Sequence, residues 1–88
     1  MQKKDNKTIH LRIVLGKTIS ELRIKRNISG NKLTGSYDLE NSNLSRIENA
    51  VIDCKIITLW KISEALGIKL SDLIINIENK VGDDFKLF

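Results

Sequence analysis

Few side chains in this sequence could break or make a bond. It holds one histidine, His10, and one cysteine, Cys54. A Cys/His zinc site needs three or four such ligands, and a nucleophile needs a base within reach. His10 sits between apolar Ile9 and Leu11, and Cys54 reads as a small residue at a loop end. No glycine-rich phosphate loop occurs, and carboxylates such as Glu48 and Asp53 form no evident acid–base pair. Catalysis, a metal and a cofactor are therefore not expected. The chain does hold a run of hydrogen-bonding types, Asn41, Ser42, Asn43, Ser45 and Arg46. They lie on one segment whose apolar residues Leu44 and Ile47 fall three apart, so they form the polar front of a short helix.

The charge points to the kind of partner. Fifteen basic against eleven acidic residues give +4 overall. Residues 1–32 carry nine basic and two acidic residues, and residues 33–88 carry six basic and nine acidic. A basic first third suits a polyanion such as nucleic acid. The plainer reading is a solvated helix face and a tail. At 88 residues and 41% apolar the chain supports one small core and one domain. A lone cysteine excludes a disulfide framework within the chain. No apolar run approaches the ~18 residues of a membrane span, and the first seven residues lack the apolar stretch of a signal peptide. A cytoplasmic protein is expected.

The elements that must position the polar front are helices. With no proline in the chain, boundaries come from caps, Gly and Asn. Leu11, Leu15, Ile19 and Leu22 recur at helical spacing, giving a helix from about Arg12 to Arg26. Its start is open, because β-branched Ile13 and Val14 would also suit a strand over 8–15. Ser29 is a good N-cap for two short turns over 30–36, with Leu33 inward. Asp38 tolerates a left-handed turn. A helix over 41–49 follows, then a loop over 50–53. Asp53 can cap a helix to about Leu66, whose apolar stripe is Ile56, Leu59, Trp60, Ile62 and Leu66. Gly67 ends it. Ser71, or Lys69 with Leu70, opens a last helix through Leu73, Ile74 and Ile77. The sum is an all-α chain of five short helices with short connections.

The stretch Ser29–Asn49, SGNKLTGSYDLENSNLSRIEN, places a short helix, a tight turn and a second helix in sequence. From Leu15-Gly16-Lys17 to Leu73-Ile74 the chain resembles the XRE/Cro-repressor type of helix-turn-helix DNA-binding domain, over about 60 of its 88 residues. Leu15-Gly16-Lys17-Thr18-Ile19 with Leu22-Arg23 looks like that family's first helix, and Ile28-Ser29 with Leu33 like the second. Leu44-Ser45-Arg46-Ile47-Glu48-Asn49 looks like the end of the third. Ile62-Ser63-Glu64-Ala65-Leu66-Gly67-Ile68 and Leu70-Ser71-Asp72-Leu73 look like the last two. Four departures stand out. Gly30 occupies a place where the family often has Gln, Thr34 replaces a small Ala, Asp38 replaces a Gly in the turn, and Cys54 sits where Pro is common.

The resemblance implies a compact five-helix, lambda-repressor-like domain over 11–78. A basic flexible tail would precede it (1–10), and a C-terminal tail would follow (79–88). The helix 41–49 would be the recognition helix, with Asn41, Ser42, Asn43 and Arg46 reaching base edges in the major groove. Arg can pair with guanine O6 and N7, and Asn with adenine N6 and N7. Phosphate contacts would come from Lys17, Ser29, Asn31, Lys32, Asn49 and Lys55. Arg23 and Glu48 would pair across the first and third helices. Lys3, Lys4 and Lys7 could form an arm along DNA, or simply a tail. Trp60 on its stripe reads as core.

Leu70, Ile74, Ile77, Val81 and Phe85 continue an apolar stripe past the family's usual core. That points to a homodimer face; the competing reading is a tail folded back on its own domain. The resulting expectation is a sequence-specific transcription regulator, a repressor, bound to double-stranded DNA as a dimer over a palindrome. A restriction controller, a phage or conjugative-element regulator and an antitoxin would all fit. The alternative is a helix-turn-helix-fold interaction module that binds a protein partner without strong DNA specificity. Gly30 and the acidic Asp38 and Glu40 beside the recognition helix favour it.

Overall fold

A computed structural model describes residues 6–35 and 39–88, and among these there are five helices and no strand. They are α1 (Asn6–Lys25), α2 (Gly30–Gly35), α3 (Asn41–Glu48), α4 (Ile56–Leu66) and α5 (Leu70–Val81). Helix α1 packs against α3, α4 and α5, helix α2 against α3 and α4, and α4 against α5. One core results. It takes Val14 and Ile19 from α1, Leu33 from α2, Leu44 and Ile47 from α3, Leu59, Ile62 and Leu66 from α4, and Leu73 and Ile77 from α5. Leu11, Leu15 and Leu22 pack on its edge. Among the described residues no buried side-chain polar atom lacks a partner. The buried hydroxyls return to their own helices: Thr18 donates to the Val14 carbonyl (2.7 Å) and Ser63 to that of Trp60 (2.7 Å). Thr34, where a small Ala is expected, donates to the Gly30 carbonyl at 2.9 Å and so is buried without an orphaned group.

Three helices end in one way. An amide two or three residues past the helix reaches back to a carbonyl five residues earlier, as Ile28 to Arg23 (3.0 Å), Val51 to Arg46 (2.8 Å) and Ile68 to Ser63 (3.0 Å). This closure places the intervening residue in the left-handed region. Gly67 takes φ +77° without strain, while Asn27 (56°) and Ala50 (62°) carry a Cβ there. Asn is tolerated in this conformation and Ala less so.

The structure shifts several sequence-derived boundaries. Helix α1 begins at Asn6, so residues 6–10 of the expected tail are helical, and the strand alternative over 8–15 does not occur. The cause is packing: the segment after α5 returns along α1, where Phe85 meets the His10 ring at 5.9 Å and Lys7 donates to the Phe88 carbonyl at 3.0 Å. Lys3 and Lys4 of the proposed arm, and Asp38 of the turn, lie outside the described residues. Helix α4 has Lys55 rather than Asp53 at its N-cap, because the Asp53 carboxylate is engaged by Arg12 at 2.6 Å. Lys69 and Leu70 open α5, which runs to Val81 before Gly82 (φ +88°) turns the chain.

Two apolar assignments change. Trp60 is not core: it is 52% exposed, because α4 turns its Leu59, Ile62 and Leu66 edge inward instead. Of the residues expected at a dimer face, Ile77 lies in the monomer core, Val81 packs on that core, and Phe85 is turned back onto α1. The returning tail uses that surface up. Leu70 and Ile74 stay half-buried and border an open groove of about 1050 Å³ shared with Trp60, Ile68 and Ile75.

Candidate nucleic-acid interface

The exposed front of α3 rests on a frame supplied by α1. Gly16 meets α3 at backbone level: a Cβ there would lie 2.5 Å from the Glu48 carbonyl oxygen and 2.6 Å from that of Ile47. No side chain fits, so the two helices meet backbone to backbone here. Seven residues on, Arg23 donates from Nε and from its second terminal nitrogen to the two Glu48 carboxylate oxygens, at 2.9 and 3.0 Å. Its remaining nitrogen donates to the Ile28 carbonyl at 3.0 Å. One guanidinium thus joins α1, the α1–α2 turn and α3. The pair is largely covered, with side-chain exposures of 18% and 13%, and Glu48 raises the Arg23 pKa further above its ordinary value through the hydrogen bond. Such a pair fixes geometry more than it adds stability.

On this frame Leu44 and Ile47 face inward, while Asn41, Ser42, Ser45, Arg46 and Asn49 are exposed. Asn43 is half-buried at the α4 side of the helix, and its Oδ1 accepts a bond from Arg46 at 3.3 Å. Arg46 therefore leans toward Asn43. Asn49 donates to the Ser45 carbonyl (2.9 Å) and to its hydroxyl (3.3 Å), tying the end of the same face. Asn41, at the opposite flank, lies against Gly30 of α2.

The basic and polar residues expected around this face are distributed unevenly. Ser29 caps α2, its hydroxyl accepting the Lys32 amide at 3.1 Å, and Asn31 and Lys32 are exposed on the first turn of that helix. Lys55 is exposed at the α4 N-cap. Lys17 is exposed next to Gly16 and acts on Glu21, whose pKa is held below the ordinary carboxylate value chiefly by its bond to Lys80. Cys54, half-buried in the loop, has its thiol pushed up to about 11 by desolvation. It is a neutral packing group at physiological pH.

The arrangement is a short helix, a turn and a second helix held to a third by directional bonds. The match to known families is of the same kind: residues 18–79 fit the Cro/C1-type helix-turn-helix DNA-binding domain. The chain belongs to this family. Relatives of the Cro/C1-type domain agree. Control protein C.BamHI of Bacillus amyloliquefaciens is 32% identical over 68 residues, spanning 76% of this chain and 84% of that protein. The clp gene regulator ClgR of Corynebacterium glutamicum superposes with a TM-score of 0.74 at 20% identity, over 84% of this chain and 96% of that one. An HTH_3-family transcriptional regulator from Vibrio cholerae gives 0.72 at 23% identity, over 78% of this chain and 39% of the other. These two share the fold. In this Cro/C1-type domain no described helix is long and apolar enough to cross a membrane.

Sequence reasoning missed three contacts that shape the site. The Arg12–Asp53 pair, from α1 to the loop after α3, joins residues 41 positions apart and has no local signal. Gly16 had one: a glycine inside a helix costs stability, which marks a close approach. Gly30 against Asn41 is the third.

Proposed function

We propose that the chain is a sequence-specific transcription regulator that represses by occupying a promoter. It binds double-stranded DNA as a homodimer over a palindromic site, with α3 in the major groove. The observation that carries this reading is the exposed polar face of α3 held at a fixed angle by Arg23 through Glu48. A base-reading helix needs that rigidity, because hydrogen bonds to base edges fail beyond a few tenths of an ångström. Arg46, steered by Asn43, and Asn41 and Ser42 read bases. Ser29, Asn31, Lys32, Asn49 and Lys55 hold phosphates, with Lys17 at the periphery. The net charge of +4 favours association with DNA, and the compartment is the cytoplasm.

The dimer reading moves from the tail to the groove between α4 and α5. Trp60 and Ile75 are exposed there and Leu70 and Ile74 half-buried beside them, and a second copy related by a two-fold axis can cover such a surface. Two recognition helices would then enter successive major grooves about 34 Å apart.

Selection of bound duplexes from random DNA at about 150 mM salt, where charge effects are partly screened, tests the proposal. An enriched palindrome is the expected result, and its half-site spacing reports the dimer geometry. Enrichment of a single half-site would remove the dimer. No enrichment would overturn the regulator reading in favour of a protein-interaction module.

A further inference from the structure

The chain has five glycines, and they do not share one account. Gly67 and Gly82 adopt positive φ, which glycine tolerates. Gly16 admits no Cβ against the backbone of α3. Gly35 has open space around it and no positive φ. Gly30 is unlike all of these. Its backbone conformation is one that any residue adopts, and it lies in the first turn of α2, where glycine weakens the helix. What crowds it is the side chain of Asn41: a Cβ on Gly30 would stand 2.9 Å from the Asn41 Oδ1 and 4.0 Å from its Cγ. Leu44 is the next neighbour, at 3.7 Å, ordinary contact distance.

The backbone therefore does not require a glycine here; the recognition-helix side chain does. We propose that Gly30 is a specificity-determining position: its missing side chain leaves the space in which Asn41 lies against α2, and that placement selects the base edge Asn41 meets. This rests on the DNA-reading role given to α3 above. An added Cβ at 30 meets the far end of a flexible side chain, so Asn41 swings away rather than the helices moving apart. Its amide then presents a different pair of donor and acceptor to the groove. Asn can satisfy adenine bidentately only in one orientation, so a changed rotamer alters one base preference and leaves the rest of the site untouched.

The experiment compares four variants with the parent chain by selection from random duplexes, followed by titration of single-base variants of the parent's site. Gly30→Ala and Gly30→Gln are expected to relax or switch preference at one position per half-site, by roughly five- to a hundredfold. Preference elsewhere should stay within about twofold. Asn41→Ala should relax the same position, and adding Gly30→Ala to it should change nothing further. Gly35→Ala is the control, since it raises helix propensity in the same short helix without meeting any neighbour. Thermal melts should show Gly30→Ala and Gly35→Ala folded like the parent. Unchanged base preference in Gly30→Ala overturns the inference. So does a uniform loss on every sequence, or an equal effect from Gly35→Ala. A parent chain that enriches no sequence would instead remove the DNA-reading function itself, and the inference with it.

Discussion

The first and second halves of this domain are held together in different ways. From α1 to α3 the decisive contacts are directional. Arg23 makes three bonds to Glu48 and Ile28, and a bare glycine lets α1 touch the backbone of α3. From α4 to α5 the contacts are apolar and non-directional, through Leu59, Ile62, Leu66, Leu73 and Ile77. Burial of this kind scales with area and tolerates small slips. Hydrogen-bonded pairs do not. The half that must present a side chain to a fixed target uses the contacts that fix angles; the other half packs through apolar side chains and leaves Trp60 and Ile75 exposed.

That division can be broken at either side. The largest expected effect is Leu73→Ala, since Leu73 is fully buried where α5 meets the core. It should cost about 2–5 kcal/mol in denaturant unfolding, while the fraction that remains folded keeps its DNA preference. Next comes Glu48→Ala. It strands the Arg23 guanidinium and should cost about 1.5–3 kcal/mol. It should also blur base preference at every position, because the angle of α3 loosens; a stability loss with preference intact would refute the positioning role. Arg46→Ala should leave the melting temperature unchanged and cost roughly 1–3 kcal/mol at one base position. An equal loss on all sequences would make Arg46 a phosphate contact. The smallest effect is a gain. Ala50→Gly relieves a Cβ at φ 62° and should stabilise by about 0.5–1 kcal/mol net of the added chain entropy. A loss in melting temperature would show that Ala50 is not strained.

The sequence makes the helical half-turns visible wherever apolar spacing repeats: Ile19, Leu33, Leu44, Ile47, Ile62 and Leu66 all fall inward as their periodicity requires. The polar front of α3 is equally legible, since Asn41, Ser42, Ser45 and Arg46 flank two inward residues. Tertiary burial is not. Trp60 sits on the stripe of α4 and yet faces outward, because a stripe wider than one neighbour leaves its margin uncovered. The tail 82–88 has no period of its own, and contacts with His10 and Lys7, far away in sequence, help to place it. Arg12–Asp53 is invisible for the same reason: ion pairs between distant positions leave no mark on local pattern.

Helix α1 also works as a ruler. Arg12 meets the loop after α3, Gly16 meets the end of α3, and Arg23 meets Glu48 inside it. These positions share one stripe, so their spacing is counted in whole turns. One residue inserted between 16 and 23 would rotate everything beyond it by about 100° and shift it about 1.5 Å. Arg23 would then point away from Glu48 while Gly16 kept its place. The chain tolerates changes of type along this helix more readily than changes of length.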